Sequence, residues 1–72
     1  MLVYTTPHVI RVDLSENIHC LIVTGKNEIR SFYLINENFG DPVFMFGCKT
    51  DSDTDAAEMA IANAADYIPS EW

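Results

Sequence analysis

The stretch Ser52–Ile68, SDTDAAEMAIANAADYI, decides the fold. Ala57, Ala60, Ile61, Ala64, Ala65 and Ile68 recur at the i, i+3, i+4, i+7 spacing of one helix face, so this stretch is expected to be the chain's only helix. Four of these six residues are alanines, which lets the helix axis approach a sheet closely. Ser52, with Asp55 three residues on, forms a capping-box-like start. Asp53 and Asp55 fall in the first turn, where the positive end of the helix dipole favours carboxylates. Pro69 marks the stop, giving a helix over about 53–68.

Everything before this helix has strand character. Leu2–Thr6 is β-branched and aromatic, but Pro7 limits it to an edge strand or an arm. Residues 8–14 alternate, with Ile10, Val12 and Leu14 on one side. Residues 18–24 are nearly continuously apolar, as suits a central strand. Gly25-Lys26-Asn27 is a short hairpin loop with Gly25 placed for a positive φ. Strands over about 28–36 and 43–48 follow, separated by a polar loop over 37–42. Short loops between successive strands favour a meander. The expectation is a single α+β domain over 1–72: a three- to four-stranded antiparallel sheet, then one C-terminal helix on one sheet face.

One helix covers one face, yet the last strands carry large apolar residues on both. The second face therefore requires a cover: a copy of the chain in a symmetric homodimer, a partner, or Leu2, Tyr4 and Trp72 folded back over it. The self-association residues come from one of two sets, Phe32, Leu34, Phe44 and Phe46 or Ile29, Tyr33, Val43 and Met45, and the first is taken. Strand parity alone does not choose between them.

The net charge is −7, and residues 51–72 hold six carboxylates with no Lys or Arg. Such a surface repels phosphate and attracts a basic protein, so direct nucleic-acid binding is not expected. The expected partner contacts are Asp51, Asp53, Asp55, Glu58, Met59, Asp66 and Trp72, with Met59 and Tyr67 on the helix back. No apolar run is long enough to span a membrane, and the opening MLVYTTP lacks the basic region and apolar core of a signal peptide. The expectation is a cytoplasmic protein, where Cys20 and Cys48 would stay reduced.

Motifs for chemistry are sparse. Asp51-x-Asp53-x-Asp55 opens like an EF-hand loop, but Ala56 replaces its glycine and Ala62 its bidentate glutamate. His19 and Cys20 are adjacent in a strand and point to opposite faces, which does not suit a shared metal. There is no phosphate-binding glycine loop and no nucleophile elbow. The expectation is a protein that is not an enzyme and uses no metal or cofactor.

Two resemblances follow. The run Gly47-Cys48-Lys49-Thr50 to Asp53-Thr54, leading into an Ala-rich helix, resembles the strand-to-helix junction of HicB-type antitoxins over about twenty residues. The Pro before Gly-Cys and the DNA-binding tail of that family are missing. As a whole, a short acidic sheet-plus-helix chain is similar in architecture to small phage-encoded inhibitors of the anti-CRISPR type. That likeness implies a protein acting in the host cytoplasm that occludes a basic, nucleic-acid-handling protein. The alternatives are a HicB-like antitoxin domain or a homo-oligomeric structural protein.

Overall fold

The computed structural model describes residues 8–72, so the strand expected over 2–6 lies outside the described residues. Four strands, β1 (His8–Asp13), β2 (Ile18–Thr24), β3 (Ile29–Asn36) and β4 (Phe39–Lys49), form one antiparallel sheet in the order β1-β2-β3-β4. One helix, α1 (Asp53–Asn63), follows and continues as a single 3-10 turn over Ala64–Asp66. The α+β meander with a C-terminal helix is the expected architecture.

Alternation sorts the sheet into two faces. Toward the helix point Ile10 and Val12 of β1, Cys20 and Ile22 of β2, and Phe32 and Leu34 of β3. They close on Ala56, Ala60 and Ala64, and of these nine residues the seven from Cys20 onward are buried. The Phe32 and Phe46 rings meet at 4.6 Å between centroids, and Tyr67 packs edge-on against Phe46.

Strand β4 departs from simple alternation. Phe32 pairs with Phe46 and Tyr33 with Phe44, so Met45 is an extra residue in the ladder, a β-bulge. The bulge sends Met45 and Phe46 to the helix side and leaves Phe44 on the other. A second irregularity sets Gly40-Asp41-Pro42 opposite the single residue Ile35. The loop expected over 37–42 is therefore only the two-residue turn Glu37-Asn38, held by the Asn38 N–H donating to Asn36 Oδ1 at 2.9 Å.

The β2–β3 hairpin also differs in detail. Gly25 is extended, and the positive φ values belong to Asn27 and Glu28, both at 60°. The Ile29 N–H donates to the Lys26 carbonyl, which closes a type I′-like turn around those two residues.

Helix α1 starts as expected: Ser52 Oγ accepts from the Asp55 N–H at 3.1 Å. It ends earlier, at Asn63 rather than near Ile68. The Asn63 side chain donates to the Met59 carbonyl at 2.8 Å, using an acceptor of the helix ladder, and the chain tightens into the 3-10 turn. The buried face is also rotated. Ala56, Ala60 and Ala64 face the sheet with Met59 beside them, while Ile61 is 61% exposed. The cause is a tether at the helix start. Asp53 accepts from Arg30 on the sheet, and Ala56, Ala60 and Ala64 follow Asp53 at i+3, i+7 and i+11. Fixing Asp53 over the sheet turns that alanine line inward and Ile61 outward.

Candidate functional site

The sheet face opposite the helix carries Val9 and Arg11 of β1, His19, Leu21 and Val23 of β2, Ile29, Tyr33 and Ile35 of β3, and Pro42 and Phe44 of β4. Among the described residues no helix or second sheet lies over it. Leu21, Tyr33, Ile35, Pro42 and Phe44 line an apolar cleft of about 380 Å³. Phe44 stands at its rim, 56% exposed, with its ring edge-on to Tyr33 at 5.5 Å. The Tyr33 hydroxyl is the sole polar side-chain group among the lining residues. A cleft of this kind takes apolar side chains and brings no acid, base or nucleophile together.

The two ends of this face differ in charge. At one end Arg11 donates to Asp13 at 2.8 Å and reaches Glu37 at 3.5 Å, with Glu16 and Asp41 nearby in the chain. Because β2 lies between β1 and β3, the Arg11–Glu37 pair bridges over His19. His19 is 8% exposed, and its Nδ1 is buried without a hydrogen-bond partner. At the other end Lys49, whose Cα faces Ile29 in the ladder, and Lys26 of the hairpin take part in no ion pair among the described residues.

The opposite side of the molecule is acidic. Asp51, Asp55, Glu58, Asp66 and Glu71 are exposed, and none forms a salt bridge among the described residues. Asp53 is different. It accepts from Arg30 Nη1 at 2.8 Å and from His8 Nε2 at 2.8 Å, and these bonds, Arg30's foremost, hold its carboxyl below the usual carboxylate range. Asp53 is therefore a structural tether between the sheet and α1.

The expected partner contacts thus separate. Asp51, Asp55, Glu58 and Asp66 share the helix layer, but Asp53 is occupied. Met59 packs on the core, with the Cys48 thiol 3.3 Å from its sulfur, instead of standing on the helix back. Trp72 is half-buried on the helix side, stacked on Phe39 at 6.4 Å, and so does not cover the open face. Leu2 and Tyr4 lie outside the described residues.

The self-association set needs a similar correction. Phe32 and Leu34 are fully buried under the helix and Phe46 packs with them, so only Phe44 remains for the open face. The bulge at Met45 splits both alternative sets, sending Val43 and Met45 to the helix side and Ile29 and Tyr33 to the open one. Leu21, Ile35 and Pro42 were missed as site residues. For Leu21 and Ile35 the signal was alternation along β2 and β3, which puts them on the face of Tyr33; Pro42, in the irregular stretch of β4, gave none.

His19 and Cys20 do point to opposite faces, and burial pushes the Cys20 thiol up to about 11, so it stays protonated. Among the described residues no group of three or more His, Cys, Asp or Glu is placed to hold a metal ion. No helix there is long and apolar enough to cross a membrane. Comparison with family models, with curated proteins and with solved structures finds no match for this chain.

Proposed function

We propose that the chain is a non-enzymatic protein-binding module. The observation that carries this reading is the open sheet face: an apolar cleft rimmed by an exposed Phe44, in a two-layer domain whose helix covers the other side. Leaving such a face in water forfeits roughly 25 cal/mol for each Å² of apolar surface that a partner would bury. The acidic helix layer supports the finer part of the reading, an inhibitor that occludes a basic, nucleic-acid-handling protein, since unpaired carboxylates steer basic surfaces toward it.

The test is capture from bacterial extract on the immobilised chain, comparing the wild type with Phe44→Asp and with a Glu58→Gln, Asp66→Asn variant. A basic protein should be retained at low salt and released as salt rises. At least one of the two surfaces should prove necessary for retention. Capture indifferent to both substitutions, or no capture and no self-association, overturns the reading.

A further inference from the structure

We propose that a second copy of this chain covers the open face, docked sheet to sheet about a two-fold axis that runs across the strands. This deepens the protein-binding reading by naming the occupant of its surface.

A two-fold contact requires a patch that complements itself. The open face holds both a projecting ring and a hollow: Phe44 stands at the rim of the cleft formed with Leu21, Tyr33, Ile35 and Pro42. Arg11, Leu21, Tyr33 and Phe44 are successive partners across the ladder and form the middle row of the sheet. An axis along that row lays β4 over its twin, so the two Phe44 rings meet on the axis at the rims of the two clefts. Stacked sheets pack about 10 Å apart, a gap that interdigitated side chains of this size fill.

Charge selects the direction of this axis. Rotation about the middle row exchanges the two ends of the face, bringing Lys49 and Lys26 of one copy toward Glu37 of the other. Glu28 lies beside Lys26 and weakens its part, so Lys49 carries most of the pairing. An axis parallel to the strands would instead set the end that holds Asp13 and Glu37 against the same end of the other copy, and Lys49 and Lys26 against the other copy's basic end. Sheet-to-sheet docking also leaves both acidic helix layers on the outside, as far apart as the dimer allows. A contact through the helices would press together surfaces that hold most of the −7 charge of each chain.

Sedimentation equilibrium over roughly 1–500 µM, with circular dichroism as the folding check, tests the proposal. The wild type should be a dimer at about 100 µM. Phe44→Asp should weaken it about a thousandfold, because a symmetric interface loses its central anchor twice. Phe44→Thr, which keeps strand propensity, should weaken it in the same direction. Lys49→Glu should weaken the dimer by about two- to fivefold, and adding Glu37→Lys should restore it. A wild type that stays monomeric throughout, or a dimer indifferent to Phe44→Asp, overturns the proposal. Tightening by Lys49→Glu overturns the head-to-tail orientation. A monomer whose Phe44→Asp variant still loses capture of another protein defeats the second copy alone, whereas a monomer with capture indifferent to both surfaces defeats the module reading as well.

Discussion

Arg30 is 7% exposed and sits on the helix side of β3, a position that calls for an apolar residue unless its charge is matched. One Nη donates to Asp53 at 2.8 Å, while its Nε is buried without a partner. The cost of burying that guanidinium is thus offset mainly through one carboxylate, which His8 also holds. Because the Asp53 pKa is depressed in the fold, its contribution is fully present above the ordinary carboxylate range and is lost as pH falls through the lowered value. Asp53→Asn should lower the melting temperature at pH 7 and flatten its decline at acid pH, as pH-stepped thermal melts would show. An unchanged acid limb would mean that another carboxylate governs it. A second residue carries backbone strain: Glu28 has a φ of 60°, a region that favours glycine. Glu28→Gly should stabilise the fold by about 1 kcal/mol in urea titration, and a loss of stability would exclude strain at this turn.

At the scale of the element, the rotation of α1 separates two neighbouring side chains. Ala60 is fully buried against the sheet, whereas Ile61 projects into solvent. Ala60→Leu should destabilise by about 1–3 kcal/mol through overpacking, while Ile61→Lys should stay within about 0.5 kcal/mol of the wild type. Denaturant midpoints decide between this face and the one centred on Ile61, which predicts the reverse order. The strands, their meander order and the Ser52 cap were legible because each rests on local pattern: period-two alternation, short polar turns, and a hydroxyl before two aspartates. The rotation was not, because six alanines spread around the helix give two faces of similar hydrophobicity, and the choice was made by Arg30, twenty-three residues before Asp53 in the chain. The split of Phe44 from Phe46 was hidden for a related reason. A bulge inserts a residue without any Gly or Pro at Met45 to announce it, and parity counted along β4 fails past that point. The open face was legible as a surplus of apolar residues, but not in its membership.

For the whole molecule, two surfaces of unlike chemistry lie on opposite sides of a two-layer domain. The sheet face is apolar at its centre and mixed in charge at its ends, so contacts there should respond to shape and burial. The helix layer is uniformly acidic, with Asp51, Glu58 and Asp66 exposed and outside any ion pair among the described residues. Contacts there should respond to ionic strength, because exposed charges are screened over about 8 Å at physiological salt. Neutralising the three as Asp51→Asn, Glu58→Gln and Asp66→Asn should change stability by less than about 1 kcal/mol, since none of the three supports the core. Any shift should be upward, as like-charge repulsion within the layer falls. The same substitutions should slow association with a basic partner and shrink its salt dependence, leaving dissociation less affected. Stopped-flow association rates at several salt concentrations measure this directly. A partner whose association rate is the same for wild type and variant would show that the carboxylates serve the free protein's solubility and take no part in recognition.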